Sequence, residues 1–382
     1  MSGRPWVTVV TPSLDQGPFL PRALDSVLGQ DYPHLELWVI DGGSRDGTLE
    51  VLREYAARDP RLRWLSGKDR GQSDAINKGL RRARGDVVAW LNADDVYLPG
   101  AVSKAVAHLE AHPEVGLVYG RGEIVDQDGR TIGPFAEWEP FSLWRLIHML
   151  DYVLQPATFF RRRLVEEIGY LDAGLNWAMD WNLWLELAAR AEVLAVDDVL
   201  AQSRVYGATK TATGGWRRIG ELGRLARRWS GRFWTPGVKL YALDTLHRDL
   251  RARLPAPFAH PLCRVVEGWM GRLARRGPVY ADGWLTRRAY AVVPRRWRRA
   301  RLLFEAVDAP AGGFAVTLRH AGRRLARLPI PRPGAYPCEV AVPAGDGPFA
   351  TLEIRSNHRF RPDPAIDARP WLSILLRRVE PG

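Results

Sequence analysis

The hexapeptide Trp90-Leu91-Asn92-Ala93-Asp94-Asp95 closes an apolar run, Val87-Val88-Ala89-Trp90-Leu91, that has the length and β-branched content of a buried strand. It turns acidic just before the turn at Leu98-Pro99-Gly100. Two adjacent carboxylates at a strand's carboxyl end form an acidic edge. In open α/β sheets ligands bind at that edge, and oxygen donors of this kind suit Mg²⁺ or Mn²⁺ shared with phosphates. An Asp-Asp pair before a turn also serves as a solvated helix N-cap, so the flanking stretches must decide between the two.

Upstream, short apolar runs alternate with helical patterns, the signature of βαβ units and a parallel sheet. Val7–Val10 is the first strand and ends at Thr11-Pro12-Ser13. Phe19, Leu20, Ala23, Leu24, Val27 and Leu28 then recur at helical spacing as far as Gly29 and Pro33. A second strand, Leu35–Ile40, ends in Asp41-Gly42-Gly43-Ser44-Arg45-Asp46-Gly47 and leads into a helix from about Thr48 to Arg58. A third, Leu62–Leu65, leads into Asp69-Arg70-Gly71-Gln72-Ser73-Asp74-Ala75-Ile76-Asn77-Lys78-Gly79, whose second part reads as a helix. Loops carrying Pro12-Ser13, Asp41, Asp69 to Lys78, and Asp94-Asp95 then converge on one crevice, the geometry of a nucleotide site. Neither G-x-G-x-x-G nor G-x-x-x-x-G-K-[ST] is present, which disfavours a dinucleotide dehydrogenase or a P-loop enzyme.

In this order and spacing, Thr11-Pro12-Ser13, Val39-Ile40-Asp41-Gly42-Gly43-Ser44, the Asp69–Gly79 stretch and Leu91-Asn92-Ala93-Asp94-Asp95 resemble the family 2 glycosyltransferases of GT-A fold, a Rossmann-like domain of nucleotide-diphosphosugar transferases. The resemblance implies a nucleotide diphosphosugar donor, a divalent metal (Mn or Mg) and inversion at the anomeric carbon. It implies that Asp41 takes the base, Asp94 the ribose or sugar, and Asp95, with Asp94, the metal. Pro12, Ser13, Gly71, Gln72, Asp74, Lys78, Asn92 and Gln155 would complete the donor site. Asp15 stands where the family usually has Asn, Arg45 where Thr or Ser is commoner, and Asn92 where many members have Asp. Weaker metal binding than in a three-carboxylate site is therefore expected.

Downstream, Val115–Gly120 suits a strand and Asp126-Gln127-Asp128-Gly129 a hairpin turn, with nothing like an EF-hand loop after it. Beyond Gln155 comes Asn176-Trp177-Ala178-Met179-Asp180-Trp181-Asn182-Leu183-Trp184-Leu185-Glu186-Leu187, in which Leu183, Trp184 and Leu187 form a helical stripe with Asp180 at its start. Composition leaves Asp180 open to a plain N-cap role. The Met-Asp-Trp-x-Leu-Trp pattern resembles the place where these enzymes carry their catalytic base. A displacement needs such a base on the acceptor hydroxyl and a cation at the departing diphosphate. A helix start is expected to depress the pKa of Asp180 and keep it ionised. The Gly/Thr-rich run from Ser203 to Gly215 fits either a linker or a segment closing over a diphosphate with Arg204 and Lys210. A Lys-Thr pair is frequent here in similar family members, which favours Lys210 as a donor-binding residue.

Charge divides the chain of 382 residues. Residues 1–210 carry 23 Lys+Arg against 30 Asp+Glu, and residues 211–382 carry 32 against 13, a net of +19. Residues 216–280 read as amphipathic helix, with Trp216, Ile219, Leu222, Leu225 and Trp229 on one side and Arg217, Arg218, Arg224, Arg227 and Arg228 interleaved. Such a segment either packs on its own domain or rests on an anionic membrane. From about Tyr280, short strands (Phe304–Val307, Phe314–Leu318, Cys338–Val342, Ala350–Ile354, Leu372–Leu376) separated by Gly/Pro turns indicate a β-sandwich. Asp282-Gly283-Trp284, Ser356–Pro362 and the closing strand look like the jelly-roll modules appended to some bacterial glycosyltransferases. Cys263 and Cys338 have no CxxC and no His at metal spacing, so neither a zinc site nor a disulfide framework is indicated, and no apolar run approaches membrane-spanning length.

The expected organisation is an α/β GT-A domain at 1–210, a helical connector at 211–280 and a β-sandwich at 281–382. The expected activity is sugar transfer to a saccharide or lipid-linked saccharide of the cell envelope, by a cytoplasmic protein that either stays free of the membrane or rests peripherally on its inner face. Alternatives are a polyprenyl-phosphate glycosyltransferase, which usually brings membrane helices, and a non-catalytic basic protein that binds glycan or nucleic acid. No helix-turn-helix, zinc or RNP pattern supports nucleic acid as a partner.

Overall fold

Val7–Ser13 is buried at all seven positions, as a strand covered on both faces must be. It forms β1 of a computed structural model described over residues 4–135, 139–149, 151–207, 209–275, 284–359 and 373–382. The elements that follow are α1 (Leu20–Leu28), β2 (Leu35–Asp41), α2 (Thr48–Arg58), β3 (Leu62–Ser66), α3 (Gln72–Leu80), β4 (Val87–Trp90), β5 (Val96–Tyr97) and α4 (Ala101–Ala111). Then come β6 (Val115–Val125), β7 (Thr131–Pro134), α5 (Leu143–His148), a 3-10 turn at Gln155–Ala157, β8 (Thr158–Arg161), α6 (Arg162–Ile168), α7 (Met179–Ala188), β9 (Glu192–Arg204), α8 (Lys210–Thr213) and α9 (Gly215–Ser230). The chain divides into two compact units, residues 1–141 with 151–225 and residues 142–150 with 226–382.

The first unit is built on one mixed sheet in the order β3-β2-β1-β4-β8-β6-β9-β5, with β7 beside β6. Strands β1 to β4 pair in parallel, and β8 runs antiparallel to both β4 and β6. Register fixes the functional edge: Ser13 lies opposite Asp41, and Asp41 opposite Ser66. Strand β1 thus continues past Val10 through Pro12 and Ser13, which sit in the sheet instead of in a loop beyond it. Leu91 donates to Val10 O, so Asn92 to Asp95 leave the sheet at the same edge. Helix α3 approaches β1 closely because Gly79 lacks a Cβ, which would stand 2.3 Å from Val10 Cγ1. Under the sheet, Trp90 and Trp184 are fully buried and stack at 5.6 Å, fastening α7 to β4.

The described residues of 211–280 are mostly helical, in the end of α8 and in α9, α10 (Pro236–Arg253) and α11 (Ala256–Arg275), and the division between the two units falls within α9. On α9, Ile219, Leu222 and Leu225 are buried, so the middle of its apolar stripe is core and is not free to meet a bilayer, while Trp216 is 50% exposed. The second unit ends in β10 (Trp284–Leu285), β11 (Arg288–Pro294), β12 (Arg299–Ala306), β13 (Phe314–His320), β14 (Arg323–Ile330), β15 (Gly334–Ala341), β16 (Phe349–Ser356) and β17 (Ile374–Pro381). They form two four-stranded antiparallel sheets, β10-β17-β12-β15 and β11-β16-β13-β14. Alternate residues such as Ala300, Leu302, Phe304 and Ala306, or Ala350, Leu352 and Ile354, are buried, the pattern of a sandwich. Asp282, Gly283, Phe360 to Pro362 and Leu372, singled out in the sequence, lie outside the described residues.

Candidate active site

At the sheet edge each motif meets its neighbours. Asp41 is 1% exposed and its carboxylate is occupied by its own surroundings: Gly43 N at 3.0 Å, Ser44 N at 3.1 Å, the Ser44 hydroxyl, and Ser66 Oγ at 2.5 Å. It therefore braces the loop after β2. Ser13 is buried beside it, and its hydroxyl makes no hydrogen bond within the protein. Asp15 adopts a φ of 51° and accepts from Arg45 N at 2.8 Å. Either Asn or Asp can supply a left-handed residue with an accepting oxygen, so the departure from Asn at this position costs the loop nothing.

Gly71 caps α3 with a φ of 113°, open to glycine and strained for any side chain. Asp74 accepts from Arg70 N at 3.1 Å and pairs with Lys78 at 3.2 Å. These bonds, the backbone one foremost, hold its pKa below the ordinary value, and Lys78 also donates to Lys68 O. Asp74 and Lys78 thus organise the loop over α3.

Five of the remaining predicted residues, Lys210, Gln72, Asn92, Asp95 and Gln155, form one continuous chain of hydrogen bonds. Lys210 Nζ donates to Gln72 Oε1 at 3.0 Å, and Gln72 Nε2 to Asn92 Oδ1 at 2.8 Å. Asn92 Nδ2 donates both to Asp95 Oδ2 at 2.9 Å and to Gln155 Oε1 at 3.0 Å, and Gln155 Nε2 ends the chain on Trp90 O at 2.8 Å. Asp95 is 3% exposed, and burial followed by the neighbouring charge of Asp94 pushes its pKa up to about 7. Burial also raises Asp94, whose Oδ2 accepts from Tyr206 OH at 3.0 Å. Arg204, considered above for a diphosphate, is 5% exposed and committed inward: its N–H binds Asp95 Oδ1, and its guanidinium binds the carbonyls of Asp94, Asp126 and Gln127.

Asp180 lies in the first turn of α7, where Trp181 N donates to Oδ1 at 2.8 Å. Its pKa is raised, not lowered as the helix start alone suggested, because burial outweighs that bond and the positive charges of Lys210 and Arg218. Lys210 is shifted down by burial, against the pull of Asp180 and Glu221. Asp151, which sequence reasoning missed, is driven well above the carboxylate range by burial and then by Asp180. Its only sequence signal is a lone acid four residues before Gln155. Tyr206, also missed, follows Arg204 by two residues and closes over Asp94. Among the described residues no group of three or more His, Cys, Asp or Glu side chains converges as a metal cluster.

The model of the family described as "Glycosyl transferase family 2" matches residues 8–169. An uncharacterized glycosyltransferase of Mycobacterium tuberculosis is 32% identical over 234 residues, covering 59% of this chain and 86% of the relative. The O-antigen biosynthesis protein RfbC of Myxococcus xanthus is 31% identical over 56% of this chain and 17% of its own length. The chondroitin synthase of Escherichia coli is 27% identical over 48% and 26%. With the family match lying across the four parallel strands whose ends carry Ser13, Asp41, Ser66 and Asp95, and with most of a mycobacterial relative aligned, this chain belongs to glycosyl transferase family 2.

Proposed function

We propose that the chain moves a sugar from a nucleotide diphosphosugar to a hydroxyl of a saccharide or lipid-linked saccharide, with inversion at the anomeric carbon. The observation that carries this is the hydrogen-bonded chain from Lys210 through Gln72 and Asn92 to Asp95, with the carboxylate of Asp180 close enough to Lys210 to shift its titration. Pro12, Ser13 and the loop braced by Asp41 form the base side of the donor site, Gly71 and Gln72 border the phosphates with Lys210, and Asp94 faces the ribose or sugar. Asp180 accepts the proton of the acceptor hydroxyl, for which a raised pKa gives a stronger driving force. The family resemblance supports these roles, and the similarity to RfbC, an O-antigen biosynthesis protein, supports an envelope polysaccharide as product.

The residues fit a divalent cation. Asp94 and Asp95 are adjacent hard oxygen donors in a buried setting that disfavours their negative charge, and a cation would relieve that penalty. With two carboxylates and Asn92 in place of a third, donor phosphates must complete the coordination. When bound, Mn²⁺ or Mg²⁺ would neutralise charge on the departing diphosphate. Thermal melting against UDP-, GDP- and dTDP-sugars, with and without Mn²⁺, tests this. A metal-dependent rise with one nucleotide, lost in Asp95→Ala, is expected, and no rise with any of them would sink the proposal.

Helix α11 favours peripheral attachment to an anionic bilayer. Phe258, Leu262, Val265 and Trp269 recur at helical steps and are 46–67% exposed, while Ala259, Cys263 and Val266 occupy the neighbouring, buried face. Residues 211–382 hold the +19 charge, and each cation near anionic lipid contributes about 1 kcal/mol. No helix among the described residues is long and apolar enough to cross a membrane. Sedimentation with phosphatidylglycerol vesicles, weakened in a Phe258→Ser/Trp269→Ser variant and absent with phosphatidylcholine, is expected. Equal binding by the variant would exclude this surface.

A further inference from the structure

Glu221 lies on α9 and is 3% exposed. Its carboxylate faces the backbone that leads into α7. Oε1 accepts from Asn176 N at 3.0 Å, Trp177 N at 2.6 Å and Ala178 N at 2.8 Å, and Oε2 accepts from Asn176 N at 3.0 Å. A helix start usually draws such acceptors from its own cap residue, but the cap of α7 is Ala178, which has none. Glu221, 43 positions beyond Ala178, instead holds the N–H of that cap residue and of the two residues before it. Asp180 follows within the same turn. Trp177 links this start to the next segment, since its Nε1 donates to Lys210 O at 3.2 Å, and a Cβ on Gly214 would come 2.7 Å from that nitrogen.

We propose that Glu221 is a positioning residue for the transfer reaction. By fixing residues 176–178 it aims Asp180, and through Trp177 it joins the base to the Lys210 segment, so that acceptor and donor halves of the site assemble together. Glu221 acts through these N–H groups and touches no substrate. The inference rests on Asp180 being the base.

Two substitutions separate position from charge. Glu221→Gln keeps an accepting oxygen at full reach and loses the charge, whereas Glu221→Asp keeps the charge and withdraws the oxygens by one methylene. Glu221→Gln is expected to hold kcat within about fivefold, and Glu221→Asp to lower it roughly 100-fold, the scale of an ångström's misplacement. Donor KM should stay within about threefold in both, since Lys210 keeps its own bond to Gln72 on the donor side. In an Asp180→Asn background Glu221→Asp should cost nothing more in residual transfer, because the two residues act as a unit. The proposal is overturned if Glu221→Asp keeps full kcat, if Glu221→Gln loses as much, or if Glu221→Asp costs the same with and without Asp180. Should Glu221→Asp fail to fold, Trp177→Phe, which removes the bond to Lys210 O together with part of the ring, must lower kcat at constant donor KM, and no fall overturns the link. An unchanged kcat in Asp180→Asn alone is a separate outcome, which rejects the base assignment itself.

Discussion

At Asp180 two influences oppose each other. The first turn of α7 and the cations Lys210 and Arg218 favour the carboxylate, burial favours the acid, and burial prevails. The acid limb of kcat against pH is therefore expected above the range where an ordinary carboxylate titrates. Lys210→Ala removes a cation that stabilises the ionised form, so the limb should move further up, and a downward move would contradict the assignment. Asp180→Asn should cut transfer to a small residual rate while calorimetric donor affinity is nearly unchanged. If donor binding is lost instead, Asp180 belongs to binding or folding. Asp151 gives a stability test with its own sign. Its folded pKa lies well above the unfolded one, so it favours the fold at low pH and that contribution is lost as pH rises through the folded value. Asp151→Asn should raise the melting temperature near pH 8 and do little near pH 4, and the reverse order would show that the shift is misassigned. At Asn92, a change to Asp replaces the donor shared by Asp95 and Gln155 with a third acceptor. Loss of about 1–3 kcal/mol in EDTA is expected, with a larger Mn²⁺-induced gain in melting temperature than in the parent. Equal gains would argue against a cation on Asp95.

Among elements, the contact of α3 with β1 is the tightest test of packing. A Cβ at Gly79 would overlap Val10, so Gly79→Ala should cost about 1–3 kcal/mol in denaturant unfolding. A neutral result would mean that α3 can ride higher on the sheet. Strands β1 to β4 were legible because parallel strands covered on both faces read as unbroken apolar runs, and the loops between them carry their own acids, whereas β5, β7, β8 and β9 went unread. Strands β11 and β14 were not. Arg288 opens β11, and Arg323, Arg324 and Arg327 break the alternation of β14, an edge strand on which arginines face solvent. The stripe on α9 was visible in the sequence, but its destination was not, since periodicity shows that a face is apolar and is silent on what covers it. Glu221 was hidden for a related reason. An acid among arginines reads as a surface ion pair, and only the fold brings it to the start of α7.

For the molecule as a whole, charge and chemistry are apportioned to different lengths of chain. The acidic residues 1–210 hold the sheet edge and every residue assigned to the donor, whereas the +19 of residues 211–382 accompanies helices and sandwich. Raising salt should accordingly weaken vesicle binding steeply and leave donor affinity at the largely buried site much less changed. Parallel losses of both would place the two properties on one surface. The amide relay has a sense of direction imposed from one end. The carbonyl of Trp90 can only accept, so Gln155 must show it the NH₂ and turn its oxygen to Asn92. Asn92 must then give its hydrogens to Gln155 and Asp95, leaving its oxygen for Gln72, whose own oxygen is thereby reserved for Lys210. None of the three amides can turn over alone without setting like against like. A main-chain atom in the sheet thus dictates which face Gln72 offers to Lys210, much as the first tile settles a row of dominoes.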